Sequence, residues 1–422
     1  MLYSERRNAE GGLDFAEIVL WLCYRPSGIL MWCDSDADTE LSEGKAMHVA
    51  FETDLRELAG RGRLRSLRGR SGIDFASNDY LGLAESEELK RAAADAIARG
   101  VPVGSGGSRL LRGNHPEHEA LESEAAAYFG ADTALYFGGG YIANFAIFST
   151  LPQRGDLVVH DELVHASVHE GLRRGRADFV GVPHNNVDAF DAAIVRWRAA
   201  GGIGRPWLSI ESLYSMDGDS PDLAELFAVA DRHGAMVVID EAHATGVLGP
   251  QGRGLAACFE GRENVITLHT CGKALGTVGG FILAPRVVRD FLINRARPFI
   301  FATAPSPLIA AITRVALEVS RTNPERRERL AHLVQFAGSG LRRRCGIKPS
   351  GSHILPIIIG ADQAAVTLAA ALQKRGFDIR PIRPPTVAEG TARLRIALTT
   401  NVNETIVEAL FEALAEEMQK AA

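Results

Sequence analysis

Cysteine is scarce in this chain of 422 residues, and no stretch approaches the roughly 18 uninterrupted apolar residues of a membrane span. The five cysteines are odd in number and scattered, at Cys23, Cys33, Cys258, Cys271 and Cys345. This pattern is no disulfide framework and fits a reducing compartment. The one N-terminal apolar run, Ile18 to Tyr24, is short and has Glu17 beside it, which does not fit a signal peptide. We therefore expect a cytoplasmic protein with no membrane association.

Excess positive charge is also lacking, since 46 Lys and Arg face 52 Asp and Glu, for a formal net charge of −6. This balance argues against a protein that binds nucleic acid through bulk electrostatics. Two catalytic signatures are missing as well. No GxxxxGK[ST] sequence occurs, which excludes a P-loop ATPase. No GxSxG surrounds Ser215, which argues against a serine hydrolase built on Ser215 and His243.

The length and an apolar content of 46% predict two or three structural units with a large core. Residues 1–46 carry nine acidic and four basic side chains. We keep them out of the fold assignment as an N-terminal extension of uncertain status, with Met47 as an alternative start. The remaining chain is divided into an N-terminal segment at 47–95, a large domain at 96–305 and a small C-terminal domain at 306–422.

Short apolar runs alternate with amphipathic stretches from about Asp54 onward, which predicts an α/β fold. The predicted strands of the large domain are Ala134–Phe137, Leu157–His160, Trp207–Glu211, Met236–Asp240, Val265–His269 and Gly280–Leu283. The predicted helices between them are Glu117–Phe129, Ala166–Arg174, Val187–Ala199 and Asp222–His233. This alternation is typical of a mainly parallel, doubly wound sheet, in which ligands bind beyond the carboxyl ends of the strands.

The pattern changes after about Pro305, where one long amphipathic helix is predicted over Pro307–Arg343. The shorter elements that follow are a strand at Ile354–Ile359, a helix at Gln363–Gly376, strands around Ile379 and Leu394–Leu398, and a helix at Glu404–Gln419. Together they predict a smaller α+β unit packed on the large domain.

Two predicted strands lead into residues that can carry chemistry. One ends at Asp240 with His243 three residues on, and the other leads into Thr270 and Lys273 in a glycine-bearing turn. Lysine forms Schiff bases with carbonyl compounds, and burial makes it a nucleophile. An Asp facing a pyridinium nitrogen and a Schiff-base lysine are the protein's contribution to pyridoxal phosphate chemistry. Taken singly, Asp240 also fits a helix cap and Lys273 a solvated surface lysine.

Three further features are weaker indications. The stretch Gly138–Asn144 follows a strand and opens a helix, which suits a phosphate, although most glycine runs only mark tight turns. His160, His165 and His169 have no third ligand at a sensible spacing, so we predict no metal site. The basic run Arg61–Arg68 is interpreted as a solvated face, with contact to nucleic acid or an acidic carrier as the alternative.

Seven motifs occur along the chain in the order SNDYLGL from Ser77, GSGGSRLLRGNHPEHEALE from Gly104, HASVHEG from His165, SMDGD from Ser215, DEAHATGVLG from Asp240, TCGKALG from Thr270 and RPPTVAEGTARLRIAL from Arg383. In these motifs the chain resembles the α-oxoamine synthases, pyridoxal-phosphate enzymes of fold type I, from about Asp54 to the C-terminus. Cys271 replaces a usual aromatic residue, Glu241 a frequent second Asp, and Ala244 a common Gly. No functional group is lost by these departures.

The resemblance implies a role for each catalytic residue. Lys273 forms the Schiff base with the cofactor and moves the α-proton, while Asp240 keeps the pyridine nitrogen protonated. His118 stacks on the ring face. His243 and Ser215 bind the phenolic oxygen of the ring.

The resemblance also implies two groups of binding residues. The residues that hold the cofactor phosphate are Gly140, Tyr141 and Thr270, with Thr303 reaching in from a partner subunit. The residues that contact the substrates are Asn78 and Arg395 for the amino acid carboxylate, and Thr386 and Arg65 for the acyl group.

The implied activity is that of a transferase, the decarboxylative condensation of L-alanine with a pimeloyl thioester in biotin biosynthesis. The doubled proline and GTARLR of the last motif favour this member of the family, with coenzyme A or an acyl carrier protein as acyl carrier. The resemblance also implies a homodimer with active sites at the interface. Two alternatives remain: a sibling synthase that uses glycine or serine with another acyl thioester, and a non-catalytic scaffold subunit of the same fold.

Overall fold

The structure, a computed structural model, describes residues 37–421, and the side chains from 48 to 420. It divides into two compact units at the boundary between Gly60 and Arg61. The described part of the first unit is helix α1, Ala37–Gly60, which carries the exposed apolar side chains of Val49, Phe51 and Leu55. The N-terminal apolar run Ile18–Tyr24 lies outside the described residues.

The second unit combines strands and helices in alternation. Its strands are β1 (Ile73–Asp74), β2 (Thr133–Phe137), β3 (Leu157–Asp161), β4 (Asp178–Val182), β5 (Pro206–Glu211), β6 (Met236–Asp240), β7 (Val265–Thr270), β8 (Gly280–Ala284), β9 (Ile354–Gly360), β10 (Phe377–Asp378), β11 (Pro381–Ile382) and β12 (Ala392–Ala397). Its α-helices are α2 (Glu87–Ala98), α3 (Pro116–Phe129), α4 (Gly140–Thr150), α5 (Ala166–Arg174), α6 (Val187–Ala199), α7 (Leu223–His233), α8 (Arg286–Arg295), α9 (Arg297–Ile300), α10 (Pro307–Thr322), α11 (Pro324–Cys345), α12 (Asp362–Lys374) and α13 (Glu404–Ala421).

A seven-stranded sheet in the order β2-β8-β7-β6-β5-β3-β4 forms the centre of this unit. Only β8 runs antiparallel to its neighbours β2 and β7, and the remaining pairs are parallel. Strands β3, β5, β6 and β7 are buried along their whole length. Burial on both faces explains why they appear in the sequence as continuous apolar runs. The prediction of an α/β, mainly parallel, doubly wound fold is confirmed.

Two predictions of secondary structure need correction. The edge strand β4 was not predicted; four of its five residues are exposed, and Gly181 interrupts its apolar residues Phe179, Val180 and Val182. The single helix over Pro307–Arg343 is wrong, since α10 ends at Thr322 and α11 begins at Pro324. Proline lacks the backbone donor that a continuous helix needs there, but it fits the first turn of a new helix.

A smaller antiparallel sheet, β11-β12-β9, follows in the C-terminal part of the chain. Its centre is β12, all of whose residues are buried, and Leu394 and Ile396 of this strand belong to the largest hydrophobic cluster. Arg393 and Arg395 alternate with them. The division of the chain at 95/96 and 305/306 stays a prediction. Among the described residues, no helix has both the length and the apolar character that crossing a bilayer requires.

Candidate active site

Three neighbouring strands of the large sheet end in polar residues at one edge. Glu211 is the last residue of β5, Asp240 the last of β6 and Thr270 the last of β7. Glu211 and Asp240 are register partners, so their side chains leave the sheet side by side. All three are buried. This edge is where a parallel sheet binds its ligands, and the predicted residues Asp240 and Thr270 meet here.

Asp240 is held by donors from two other elements. The amide Nδ2 of Asn144, on α4, donates to Oδ2 at 2.7 Å, and the backbone N–H of Ala242 donates to Oδ1 at 2.9 Å. Asn144 also donates to the hydroxyl of Ser167 at 3.1 Å. Both carboxylate oxygens are therefore fixed in direction, as a charge partner for a cationic nitrogen requires.

Lys273 lies three residues beyond the end of β7 and is largely buried in this cluster. Burial lowers the pKa of its amine, while the negative charges of Asp240 and Glu211 act in the opposite direction. Within the described chain its Nζ makes no hydrogen bond. A lysine amine with a depressed pKa and no competing partner is a nucleophile toward carbonyl carbon.

Glu211 supplies a second carboxyl group beside Asp240. Complete burial raises its pKa well above the ordinary value, and the charge of Asp240 adds to this effect. Its Oε2 accepts the backbone N–H of Ser215 at 3.1 Å, whereas Oε1 has no partner among the described residues. The two adjacent carboxyl groups thus differ in hydrogen bonding, because only Asp240 is supplied with donors on both oxygens.

Arg395 reaches this cluster from the smaller sheet. Its Nε donates to the backbone carbonyl of Ser215 at 2.6 Å. One terminal nitrogen donates to Oδ1 of Asn78 at 2.9 Å, and the other donates to the hydroxyl of Tyr80 at 3.1 Å. These contacts bring together Asn78, Ser215 and Arg395, which the sequence analysis had placed in three separate motifs.

His243 completes the network on the other side of Tyr80. Its Nδ1 lies 2.6 Å from the Tyr80 hydroxyl and 3.5 Å from the terminal nitrogen of Arg395. Burial, with the charges of Lys273 and Arg395, holds the pKa of its imidazole well below the ordinary value. His243 is therefore neutral at neutral pH and can both donate and accept one hydrogen bond.

The start of helix α4 offers a place for an anion beside this cluster. Gly139 caps the helix without a side-chain hydrogen bond, and a Cβ on Gly138 or Gly139 would meet nothing within 4 Å. The hydroxyl of Thr270 lies only 3.4 Å from where a Cβ of Gly140 would stand. Free N–H groups at a helix start, next to a hydroxyl, are the donors that a phosphate needs. Tyr141 is the following residue, with 48% of its surface exposed.

His118, which stays a prediction as the residue that stacks on a cofactor ring, is hydrogen-bonded at the start of helix α3 and to the loop at Pro305. Its Nδ1 accepts the backbone N–H of His115 at 3.2 Å, which caps helix α3. Its Nε2 donates to the carbonyl of Pro305 at 2.8 Å. Both ring nitrogens are thus engaged, and none of the hydrogen bonds or ring contacts of His118 is with Asp240 or Lys273. The geometry makes His118 a support for the loop at Pro305.

His165 is a further histidine near Asp240 and Lys273. It caps helix α5, with its Nδ1 2.7 Å from the hydroxyl of Ser167. Burial lowers the pKa of its imidazole, while the charge of Asp240 raises it and that of Lys273 lowers it. His165 is therefore close enough to both residues to feel their charges. The signal in the sequence was the place of His165 in the motif HASVHEG. Apart from that motif, His165 was considered only as a metal ligand.

Three of the predicted binding residues are exposed on loops. The guanidinium of Arg65 donates to the carbonyl of Pro384 at 3.3 Å, and the N–H of Thr386 donates to the carbonyl of Arg383. Arg65 and Thr386 therefore both contact the segment Arg383–Pro384, and neither has a hydrogen bond to the buried cluster among the described residues. Thr303 is exposed on the loop between α9 and α10. No group of three or more metal-ligating side chains occurs among the described residues.

His184 anchors the loop that carries Ser215. Its Nδ1 lies 2.9 Å from Oδ1 of Asp161, and its Nε2 lies 2.9 Å from Oδ2 of Asp219. Burial opposes the charge on this imidazole, but the two carboxylates outweigh it and raise the pKa to about 10. The ring of Tyr214 packs edge-on against His184 at 4.4 Å. Four residues of this site were not assigned a role from the sequence: Tyr80, Asn144, Glu211 and His184.

The comparisons with known proteins agree on one family. The model of the family described as aminotransferase class I and II matches residues 70–414. The 8-amino-7-oxononanoate synthase of Anaeromyxobacter dehalogenans (strain 2CP-1 / ATCC BAA-258) is 42% identical over 357 residues, or 84% of this chain and 88% of that one.

Two solved structures are similar over most of the chain. A serine palmitoyltransferase from S. paucimobilis with bound PLP is 26% identical, with a TM-score of 0.79 over 89% of this chain and 98% of that one. An 8-amino-7-oxononanoate synthase from Francisella tularensis is 25% identical, with a TM-score of 0.71 over 83% of this chain and 99% of that one.

Proposed function

The chain belongs to the aminotransferase class I and II family, and from that premise we propose that it catalyses the 8-amino-7-oxononanoate synthase reaction. This reaction is the pyridoxal-phosphate-dependent condensation of L-alanine with a pimeloyl thioester, with loss of carbon dioxide and of the carrier thiol. The predictions of an α-oxoamine synthase of fold type I, of a transferase and of this cofactor are confirmed.

One observation carries the proposal. Lys273 and Asp240 lie at adjacent strand ends, while the guanidinium of Arg395 is brought against Ser215, Asn78 and Tyr80 beside them. A nucleophilic amine, a fixed carboxylate and a carboxylate receptor thus share one buried volume. An amino acid held by its carboxylate at Arg395 places its α-carbon toward Lys273.

The residues present fit the cofactor. Gly140, Tyr141 and Thr270 would hold its phosphate at the uncapped start of α4, and Asp240, fixed by Asn144, would hold its ring nitrogen. The cofactor, when bound, supplies an electron sink that accepts the electron pair left at the substrate α-carbon. Ser215, His243 and His165 complete the set of side chains that we propose around the ring.

The protein's own part in the reaction is binding and proton transfer. Burial lowers the pKa of the Lys273 amine and so favours its neutral form, which can take the α-proton of alanine and later return it. The neutral imidazole of His243 positions the Tyr80 hydroxyl next to Arg395. Burial of the cluster excludes water and strengthens each of these interactions.

We propose a homodimer because an exposed apolar patch surrounds Thr303. The carbonyl of Gly107 accepts the backbone N–H of Ala304 at 2.9 Å, and the hydroxyl of Ser306 donates to the carbonyl of Val103 at 2.5 Å. The exposed apolar side chains on these joined loops are Val103, Leu111 and Phe301. A second copy would cover them and bring its own Thr303 toward the neighbouring site. Leu111→Glu is expected to shift the mass measured by light scattering from dimer to monomer.

We place the enzyme in the cytoplasm and take its acyl donor to be carried by coenzyme A or by an acyl carrier protein. Free thiols at Cys258, Cys271 and Cys345 suit a reducing compartment. Arg61 and Arg68 are exposed and open to an acidic carrier, whereas Arg63 is bound internally to Asp362 and Glu389. Charge reversal at Arg63 would therefore test the fold and not the carrier.

The test is turnover of the purified enzyme, loaded with pyridoxal phosphate, with L-alanine and pimeloyl-CoA. Mass spectrometry should detect 8-amino-7-oxononanoate, free coenzyme A and carbon dioxide in equal amounts. Glycine and L-serine, each with its own acyl thioester, serve as parallel reactions. Faster turnover with either of them would assign the chain to a sibling synthase, and no turnover with any pair would leave a scaffold subunit.

A further inference from the structure

Tyr80 is a completely buried tyrosine whose hydroxyl lies between three polar side chains. It is 2.6 Å from Nδ1 of His243, 2.9 Å from Oδ1 of Asn78 and 3.1 Å from a terminal nitrogen of Arg395. The ring of Tyr80 packs against that of His353, with the centroids 4.1 Å apart. Burial raises the pKa of the hydroxyl above its ordinary value, so it keeps its proton at neutral pH. A hydroxyl donates one proton, so only one neighbour receives it.

The partners of Tyr80 indicate which neighbour this is. Arg395 can only donate, and its other terminal nitrogen already donates to Oδ1 of Asn78 at 2.9 Å. Asn78 thus has a donor without Tyr80. The nearest alternative donor to Nδ1 of His243 is the terminal nitrogen of Arg395, which is 3.5 Å away. A separation of 2.6 Å is usual for a hydroxyl donor and short for an N–H donor. Tyr80 therefore donates to Nδ1 of His243.

Charge disfavours the opposite arrangement, in which Nδ1 carries a proton. That proton would point at the Tyr80 oxygen, which already receives an N–H from Arg395. Two positively polarised N–H groups would then meet at one oxygen, with the charge of Arg395 only 3.5 Å from Nδ1. The other ionisable side chains that act on this imidazole, Lys273, His353 and His165, supply no negative charge to favour a proton there. A neutral imidazole carries one proton, so with Nδ1 as the acceptor this proton is on Nε2.

The Nε2–H of His243 is then a donor directed at something other than the chain. Both hydrogen bonds of this imidazole within the described residues are made at Nδ1. His243 follows Asp240 by three residues, and in the proposed function Asp240 holds the ring nitrogen of the cofactor. The phenolic oxygen of the same ring is an acceptor that carries negative charge when ionised. A hydrogen bond to such an oxygen is stronger than one between neutral groups.

We propose that Tyr80 is a positioning residue that holds His243 in the tautomer with its proton on Nε2, so that His243 donates to the phenolic oxygen of the bound cofactor. This inference rests on the proposed function and adds a residue that acts through His243. The Tyr80 hydroxyl also accepts an N–H from Arg395. One hydroxyl thus joins the receptor for the substrate carboxylate to the imidazole that binds the cofactor.

The tautomer is measured by long-range ¹H–¹⁵N correlation NMR of the full chain labelled with ¹⁵N-histidine. This experiment distinguishes a protonated ring nitrogen from an unprotonated one, which coordinates alone do not show. The chain has 12 histidines, and the signals of His243 are identified by their loss in His243→Gln. We expect the proton on Nε2 in wild type, with and without cofactor, and a mixture of both tautomers in Tyr80→Phe. A proton on Nδ1 in wild type would overturn the proposal, whatever the variant shows.

Two ring compounds that differ only in the phenolic oxygen test the effect on binding. They are pyridoxine 5′-phosphate and 3-deoxypyridoxine 5′-phosphate, which lack the aldehyde and so form no covalent bond with Lys273. We expect calorimetry to show that wild type binds the first about tenfold more tightly than the second. Tyr80→Phe should reduce this preference to about twofold, because His243 then presents its donor in only part of the molecules.

Tyr128→Phe is the matched control, since it also removes the hydroxyl of a buried tyrosine. The Tyr128 hydroxyl donates to the carbonyl of Gln251 at 2.7 Å and lies 3.1 Å from the hydroxyl of Ser320, neither of which belongs to the active site. This variant should leave both the tautomer of His243 and the binding preference at their wild-type values. Circular dichroism confirms the fold of both variants.

The other outcomes separate this inference from the proposed function. If Tyr80→Phe kept the wild-type tautomer and preference, Tyr80 would have no such role and Arg395 would fix the imidazole. An equal loss of affinity for both ring compounds would show that Tyr80 acts through packing alone, which also refutes the proposal. Turnover of wild type with L-alanine and pimeloyl-CoA tests the function independently. Turnover together with a proton on Nδ1 would refute only this inference, and the expected tautomer without turnover would refute only the function.

Discussion

The edge of the seven-stranded sheet and the loops after β11 both concentrate charged groups, but they do so in opposite ways. At the sheet edge, Asp240, Lys273 and Arg395 are largely buried and carry both signs, with donors and acceptors 2.6–3.1 Å apart. At the loop after β11, Arg65 reaches in from the segment before β1, and both it and Arg68 of that segment are exposed and share one sign. In the first region the fixed hydrogen-bond geometry therefore determines what binds, because buried interactions are strong and little screened. In the second region the net positive charge determines what binds, and added salt weakens that attraction.

The largest effect should come from Lys273→Ala, which removes the nucleophile and proton carrier of the buried region. We expect kcat for the condensation to fall by at least about 10³-fold. Because Nζ makes no hydrogen bond within the described chain, the Tm of the cofactor-free protein should change by less than about 2 °C. Lys348→Ala, at an exposed position, is the control. A variant that kept a tenth of the wild-type rate would remove Lys273 from the mechanism.

Arg395→Lys tests the fixed geometry of the same region without changing its charge. Lysine cannot donate at once to Ser215, Asn78 and Tyr80, so we expect the KM for L-alanine to rise about 10- to 100-fold. The rise should persist at high salt, because the buried contacts of Arg395 are little screened. Arg380→Lys, in an ion pair with Asp378, provides the control. An unchanged KM for alanine would show that the carboxylate binds elsewhere.

His184→Asn extends the comparison to stability. The folded-state pKa of about 10 lies above the unfolded value near 6.5, so His184 stabilises the fold fully below about pH 6.5. This contribution is lost as the pH rises through 10. At pH 7 the variant should lose about 1–3 kcal/mol in urea unfolding, and at pH 10.5 much less.

The control for this prediction is His332→Asn, whose imidazole pairs with Glu404 but is 67% exposed. Exposed ion pairs contribute little, so its unfolding midpoint should stay near that of wild type at both pH values. A pH-independent difference between His184→Asn and wild type would mean that His184 acts through packing against Tyr214 alone.

The smallest effect is expected at Cys271, two residues before Lys273. It is completely buried, and burial raises the pKa of its thiol, so almost no thiolate is present at neutral pH. Thiol reagents should therefore modify the exposed Cys258 and leave turnover unchanged. Peptide mapping by mass spectrometry checks this directly. Modification of Cys271 in the native enzyme, with loss of activity, would show that this region opens in solution.

The buried strands were predictable because burial on both faces produces a continuous apolar run in the sequence. Strand β6, Met236–Asp240, and helices α5 and α6 have the predicted bounds. Strand β4 lies at the exposed edge of the sheet, and its apolar stretch is short and interrupted by Gly181. The break between α10 and α11 was missed because the amphipathic pattern continues through it, although Asn323 and Pro324 formed a recognisable helix start.

The site was predictable where one strand end carries the residue, as for Asp240 and Thr270. The site was less predictable where only tertiary packing distinguishes between similar candidate residues. His118 and His165 both lie at the start of a helix in a histidine-containing motif, and only the folded chain shows that the charges of Asp240 and Lys273 act on His165. Glu211 looked like the end of an ordinary strand, because its role depends on the neighbouring strand that places Asp240 beside it.

Counting the donors of Arg395 sets a limit on what the enzyme can accept. A guanidinium has five N–H groups. Three of them are directed at Ser215, Asn78 and Tyr80, and one terminal nitrogen also lies 3.5 Å from Nδ1 of His243. At most two N–H groups, one on each terminal nitrogen, therefore remain, and the two oxygens of a single carboxylate use both. The stoichiometry of this one side chain thus admits monocarboxylic amino acids and gives dicarboxylic ones no added affinity at Arg395.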